Sequence, residues 1–343
     1  KKVYAITSTG VNLLVDASLT RLLSDEKPVT WSEGACKTTD GENVNIGFDR
    51  GKFNLVKEAT CKGKSYIVKT DDLTARVANL NIAYAGDGKW NGVNNFVCFG
   101  SSETPCPTDN LYRIIGVIDG KVKLIKYDYA TSALLGTDGE YSNSSAPSST
   151  YKGSLTSIDT YYWNIATVKN TWSESNLNKI NLNTNFINNI GSTWANKIAT
   201  TTWKVGGNTS TNILLSVPSV AYKNEIVTPA ENTTYDTKIG LMYASDFYYA
   251  ASPRAWTLVG CDFGEGKDYR NASANNWIYM GHDEWIVSRK SDFTDNAFYV
   301  TSVGFVNYNR VNSDYGVRPS FNLSSSITYV SGSGSMSNPI RIN

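Results

Sequence analysis

The sequence predicts an α+β fold: a small N-terminal β-rich module over residues 1–95, then a larger unit over residues 96–343. The larger unit is expected to hold short antiparallel strands, two helices and long loops. Three observations predict this. Between Pro28 and Thr70 the apolar residues alternate in short runs broken by Gly and Asp, the period of half-buried strands. The Asp119-Gly120 pair stands between two apolar runs, a strong hairpin signal. From Ser173 the apolar residues Leu177, Ile180, Phe186 and Ile190 recur at helical spacing. A length of 343 residues suggests about two domains.

The elements follow in order. Residues 3–23 are partly helical in pattern. The runs PVTWSEGAC, NVNIGF, KFNLVKEATC and KSYIVKT read as an antiparallel β module. Residues 70–84 open with two Asp and carry apolar residues three to four apart, so a short helix fits. AGDGKWNGVNN then reads as a loop and a module boundary. LYRIIGVIDGKVKLIKYDYA is two strands around the Asp-Gly turn. LLGTDGEYSNSSAPSSTYKGS is polar, low in complexity and expected to be an exposed loop. The Asn-rich helix from Ser173 is intrinsically weak, so packing must hold it. TWANKIATTTWKV continues as helix then strand, and KIGLMYASDFYYAAS as a strand leading into a turn or helix. NWIYMG, EWIVSR and AFYVTSVGFVNYN read as short strands between polar loops. GVRPSFNLSSSITYV reads as a closing strand pair, and Ile340 and Ile342 are expected to pack back.

Composition narrows the function classes. Lys and Arg number 32 against 31 Asp and Glu, a net charge of +1, so there is no electrostatic footprint for nucleic acid. No apolar run approaches the roughly 20 residues of a membrane span. Contact with a membrane would therefore run through an N-terminal anchor missing from this sequence, or through assembly into a fibre. A single His, His282, rules out His-pair metal sites and makes most catalytic triads depend on one residue. The sequence holds 21 Tyr, 9 Trp and 35 Asn. Tyr and Asn together suit an adaptable contact surface, and they equally suit a loop-rich β protein with Asn in its turns. Of the five Cys, Cys36 and Cys61 flank a hairpin-like region, and Cys98 and Cys106 bracket the tight loop CFGSSETPC. Both spacings suit local disulfides, which need an oxidising compartment and imply a cell-surface or extracellular location. Cys261 is left over.

The second unit resembles a known family. YRIIGVIDGKVKLI within Leu111–Ser132, TWSESNLNKINLNTNFINNI, KIGLMYASDFYYAASP, WIVSR and AFYVTSVGFVNYNRVNSDYGVRP occur in an order similar to bacterial C-type-lectin-fold domains related to the formylglycine-generating-enzyme fold. GVRPSFNL at Gly316–Leu323 is similar to that family's closing strand, which reads Gly, then Phe or Val, then Arg-Pro. The CFGSSETPCPTDN segment is similar to prepilin-like surface proteins of gut bacteria that carry the domain. Members include the variable proteins of diversity-generating retroelements, whose adenines are randomised in a C-terminal window, typically at Asn and Tyr codons. The resemblance implies a non-enzymatic, surface-displayed adhesin without a cofactor, whose C-terminal face is diversified. Its partner would be a protein or glycan on another cell, a phage or a host surface. The same domain on a virion would make the chain a phage receptor-binding protein. A formylglycine-generating-type enzyme is the reading from another class. The family's enzymes bind copper through a cysteine pair, and this chain has only Cys261 in that half.

The unpaired Cys261 and the single His282 both fall within residues 259–315, as codon scatter would place them. The residues expected on the binding face are Val259, Cys261, Asp262 and Phe263, then His282 and Asp283. From the last segment come Phe293, Asp295, Asn296, Tyr299, Thr301, Ser302, Phe305, Asn307, Tyr308, Asn309, Asn312, Ser313 and Tyr315. They combine aromatic anchors with adaptable polar groups. Asp262, Glu265 and Asp268 do not have the spacing of an EF-hand, so no metal site is expected. Trp256, Trp277 and Trp285 are expected in the core, and Arg318 and Arg289 are expected to bond carbonyls of irregular loops.

Overall fold

The computed structural model describes residues 95–118, 121–251, 276–327 and 329–343, and the backbones of seven strands before residue 70. Those strands are β1 (Tyr4–Ala5), β2 (Asn12–Val15), β3 (Val29–Ser32), β4 (Ala35–Thr38), β5 (Asn43–Phe48), β6 (Leu55–Cys61) and β7 (Lys64–Lys69). They form one antiparallel sheet in the order β1-β2-β7-β6-β5-β4-β3. The alternating runs are strands, as predicted. The helical expectation for residues 3–23 is corrected, because β1 and β2 lie there. Thr7, Ser8, Thr9 and Gly10 between them are poor helix formers and good turn residues. β5 runs between the strands that carry Cys36 and Cys61, and the side chains of that pair lie outside the described residues. So does the helix predicted over 70–84.

A five-stranded sheet anchors the remainder, in the order β15-β20-β10-β9-β8. Its strands are β8 (Phe96–Cys98), β9 (Leu111–Ile118), β10 (Lys121–Lys126), β15 (Ile239–Gly240) and β20 (Ser320–Asn322). β9 and β10 pair antiparallel on either side of Asp119-Gly120, the predicted hairpin. Cys98 and Cys106 form a disulfide. Smaller sheets complete it. β11 (Tyr141–Ser145), β12 (Ile158–Tyr162) and β19 (Asp314–Tyr315) form one, and β13 (Thr201–Lys204) pairs β14 (Thr234–Thr237). β16 (Glu284–Arg289), β17 (Asn296–Val300) and β18 (Val306–Arg310) form another, and β21 (Tyr329–Ser331) pairs β22 (Arg341–Ile342).

Mixed helix and many short antiparallel strands make this an α+β chain. Three details differ from expectation. The supposed exposed loop holds β11, because Tyr141, Asn143, Ser144 and Ser145 find partners across the ladder in β12. The supposed closing pair splits, since β20 joins the five-stranded sheet while β21 pairs β22. Two helices become a string of short helical segments, including Ser132–Leu135, Leu177–Phe186 with Ile187–Asn189, Ser210–Leu214, Pro218–Tyr222 and Ala244–Tyr249.

The Asn-rich helix shows how a weak helix is held. Leu177–Phe186 is wound as a π-helix, and Leu177, Leu182 and Phe186 bury its apolar side. Its carboxamides reach neighbouring loops. Asn181 Nδ2 donates to Leu135 O and Asp138 O at 2.8 Å each, and its Oδ1 accepts from Glu140 N at 2.9 Å. Asn183 exchanges both bonds with the backbone of Ile239, at 3.0 and 2.9 Å. Asn178 donates to Trp172 O and Asn185 to Leu135 O. Buried carboxamides are costly without partners, and these have them.

Two large clusters dominate the core of the described residues, beside a smaller one of Phe96, Leu111, Tyr127, Tyr129, Ile158 and Met280. One gathers Phe99, Trp163, Trp172, Trp203, Trp285 and Phe321; the other gathers Phe247, Tyr248, Trp277, Ile286 and Phe298. The β16–β18 sheet lies between them: Trp285, Val287 and Ala297 enter the first, Ile286, Phe298, Val300 and Val306 the second. Alternate side chains of a strand point to opposite faces, so apolar residues on both phases bury both faces. Trp277 and Trp285 are fully buried, as predicted, and Trp256 lies outside the described residues. Ile340 and Ile342 pack back as expected. Arg318 is structural: its guanidinium makes two 2.8 Å bonds to the Glu284 carboxylate and donates to Ile278 O. Arg289 donates to Gly206 O and pairs with Glu231. Gly316 is required beside them, since a Cβ there would lie 2.6 Å from the Tyr129 ring.

Candidate ligand-binding face

The face is built on the β16–β18 sheet and its junction with β19. Trp285 on β16 is its floor; its Nε1 donates to Tyr161 O at 2.8 Å. Tyr315 packs on Trp285 with ring centroids 4.6 Å apart. Tyr299, opposite Trp285 across the β16–β17 ladder, stacks on Tyr315 at 4.4 Å and 24°. Offset ring pairs of this kind are rigid and directional. Both Tyr hydroxyls titrate above their usual range: burial is the main cause for each, and for Tyr299 the neighbouring Tyr315 adds to it.

Asn307 and Asn309 on β18 complete the network. Asn309 Nδ2 donates to Tyr315 Oη at 2.7 Å. Asn307 lies directly opposite Tyr299 in the β17–β18 ladder, so the two side chains share one face of the sheet. The other end of each carboxamide holds the strand itself: Asn307 Oδ1 accepts from Tyr308 N at 2.9 Å, and Asn309 Oδ1 from Arg310 N at 2.8 Å. The register explains why. Val311 N donates to Asp295 O and Thr301 N to Phe305 O, so ladder bonds fall on the Asn307–Tyr299 and Asn309–Ala297 pairs. The N–H groups of Tyr308 and Arg310 therefore point to the outer edge, where no strand follows β18 among the described residues. The asparagines seal that edge, which blunts pairing with other chains.

His282 and Asp283 lie where β16 begins. His282 Nε2 shares a 3.3 Å hydrogen bond with Ser145 Oγ on β11. Tyr129 Oη donates to His282 O at 2.9 Å, and its ring meets the imidazole edge-on at 5.7 Å. Burial lowers the His282 pKa, opposed by the Asp283 and Asp314 carboxylates. Asp283 Oδ1 accepts from Ser302 N at 2.6 Å. Asp314 Oδ2 accepts from Ser142 Oγ and Thr160 Oγ1, each at 3.1 Å.

Of the predicted residues, the structure brings Tyr299, Asn309 and Tyr315 into direct contact and bonds Asp283 to Ser302, while His282 bonds Ser145 on the neighbouring β11. Phe293 and Tyr308 form a second patch. They are 50% and 37% exposed, and their rings lie over the buried Lys290 ammonium at 3.7 and 4.9 Å. Lys290 also pairs with Asp292 at 2.7 Å. Asp295 faces Arg310 at 3.6 Å, Asn296 is half-buried opposite Arg310 in the ladder, and Asn312 is exposed. Two predicted residues do not belong on the face. Thr301 is 6% exposed, and its Oγ1 accepts from Phe305 N to close the β17–β18 turn. Phe305 packs against the second core cluster. Val259, Cys261, Asp262 and Phe263 lie outside the described residues.

The sequence reading does not find Ser142, Ser145, Thr160 or Asp314: residues 134–154 read as a loop, which hides the first two, and Thr160 and Asp314 join them only through the pairing of β12 with β11 and β19. The alternation in EYSNSS and IDTYY was the available signal. It also missed Ile165 and Val168. They are exposed on a loop anchored by Asn170, whose Nδ2 donates to the carbonyls of Lys290, Phe293 and Asn296. Val168 has φ 52, a left-handed conformation that is strained for a β-branched residue. No group of three His, Cys, Asp or Glu able to hold a metal occurs among the described residues. No described helix is long and apolar enough to cross a membrane. In comparisons with known proteins, no family model, curated protein or solved structure matches the chain.

Proposed function

We propose that the chain is a non-enzymatic, surface-displayed ligand-binding protein, an adhesin of C-type-lectin fold associated with a pilus-like structure. Its C-terminal face is diversified by a retroelement, so that one scaffold tracks changing protein or glycan ligands. The observation that carries the reading is the stacked Tyr299–Tyr315 pair on the Trp285 floor, with Asn309 bonded to Tyr315 and Asn307 opposite Tyr299. Tyr and Asn, the residue types expected at diversified codons, converge there on a fixed backbone. Such a face binds by shape and hydrogen-bond complementarity, and rigidity limits the entropy lost on binding. The Cys98–Cys106 disulfide supports display outside the cytoplasm, where disulfides persist.

The test is a screen of the full chain against a glycan array and a displayed protein library. Hits are expected to weaken about ten-fold or more in Phe293→Ala or Tyr308→Ala chains, as for aromatic anchors. Hits that ignore both substitutions, or no hit in either screen, would count against the reading.

A further inference from the structure

Lys123 and Asp246 meet inside the protein although they lie 123 residues apart in the chain. Lys123 stands on β10, the middle strand of the five-stranded sheet, with β9 on one side and β20 on the other. Asp246 stands in the first turn of the helix Ala244–Tyr249. Lys123 Nζ lies 2.6 Å from Asp246 Oδ2, and the two side chains are 3% and 0% exposed. The Trp203 and Tyr243 rings flank Nζ, with centroids at 5.1 and 4.6 Å. Both ends of the Asp246 side chain's setting are fixed. Its Oδ2 also accepts from Tyr243 N at 2.8 Å. The buried Glu225 carboxylate accepts from Ala244 N and Ser245 N at 3.0 and 2.9 Å, which holds the helix start that presents Asp246.

Two full charges are unfavourable so far from water. Passing one proton from the ammonium to the carboxylate removes both, and leaves an amine against a carboxylic acid. A buried, uncharged lysine is a nucleophile. The electrophilic carbon, Asp246 Cγ, is one bond from the oxygen that Nζ touches. Groups fixed in this way react with an effective molarity of roughly 10⁵–10⁸ M. The Tyr243 N–H is already bonded to Oδ2, the oxygen that gains charge as Nζ adds to Cγ. A cavity of about 100 Å³ lies alongside, with Lys123, Tyr243 and Ser245 among its lining residues. One water needs only about 10–15 Å³ of such space, so a water released from the pair has room to leave.

We propose that Lys123 and Asp246 condense to an isopeptide bond, a covalent cross-link between the centre of the five-stranded sheet and the helix Ala244–Tyr249. The Nζ–Cγ bond forms and the Cγ–Oδ1 bond breaks. Oδ1 leaves as water, carrying two of the three ammonium protons, and the third proton stays on the amide nitrogen. Oδ2 remains as the amide oxygen, held by Tyr243 N. The step needs no oxidant, reductant or second substrate. The cross-link stands independently of the reading of the β16–β19 face.

The test is the intact mass of the full chain, measured after denaturation and reduction, with peptide mapping by tandem mass spectrometry. The chain is expected to be lighter than its reduced sequence by one water. That loss is expected to map to a branched peptide joining Lys123 to Asp246. Lys123→Arg removes the amine and is expected to restore the full sequence mass. A wild-type chain at its full sequence mass overturns the proposal, whether or not the Lys123→Arg chain folds. So does a loss of water that maps to other residues, or one that persists in the Lys123→Arg chain.

Discussion

Asparagine does opposite work in two regions. Along the helix Leu177–Asn189 the carboxamides reach beyond their own backbone, although Asn183 also donates to Asn178 O within it. Asn178, Asn181, Asn183 and Asn185 donate to carbonyls of other segments and lash the helix to them. On β18 the Oδ1 atoms turn back to their own strand and seal its edge, while the Asn309 amide donates to Tyr315. The first arrangement builds the scaffold, the second builds a surface. A raw count of Asn cannot separate them, because the same side chain serves whichever backbone lies within reach.

The comparison can be broken most sharply at Asn181. Its side chain is fully buried and makes three bonds, so Asn181→Ala is expected to lose about 3 kcal/mol, read by denaturant unfolding. A loss as small as that of a surface substitution would mean that the helix does not depend on its carboxamides. The paired change Asn307→Ala with Asn309→Ala should be milder, about 1 kcal/mol, because water can reach the outer edge of β18. Its clearer sign is a gain of self-association in sedimentation velocity, since two edge donors are uncovered. An unchanged monomer would show that the edge needs no seal.

His282 sharpens the contrast through pH. Its folded pKa is lowered, chiefly by burial, so the imidazole is neutral in the folded chain above its unfolded pKa of about 6.5. As pH falls below that value the unfolded chain takes up the proton first, and stability declines until the folded pKa is passed. His282→Gln should remove that part of the decline; an identical pH profile would place the loss at other groups. The smallest stability effect is expected at Phe293 and Tyr308. Truncation to Ala there should change unfolding free energy by no more than about 0.5 kcal/mol, as at exposed positions. A loss several times larger would make both rings structural and remove them from the face.

The fold was legible where a local signal sufficed. Asp119-Gly120 marked the β9–β10 hairpin, and the buried Trp277, Trp285 and Arg318 followed from apolar runs and the Gly-Val-Arg-Pro segment. β11 was missed because its residues are polar, and only pairing with β12 makes it a strand. The face was legible as a list but not as a geometry. Tyr299 and Tyr315 are sixteen residues apart, and their stacking depends on β12 pairing with β19 while β16 pairs with β17. Thr301 looked like its neighbours in sequence, but the tight turn before Phe305 turns its hydroxyl inward.

Sequencing this gene from many cells of its source population tests the central claim most directly. The account expects substitutions to cluster in the codons for residues 259–315, at adenines of a nearby near-repeat. They should strike Tyr299, Asn307, Asn309 and Tyr315 and spare Asn178, Asn181 and Asn183. If those helix codons vary as much as the face, or if the window is no more variable than the codons for residues 111–132, diversification of this face is contradicted.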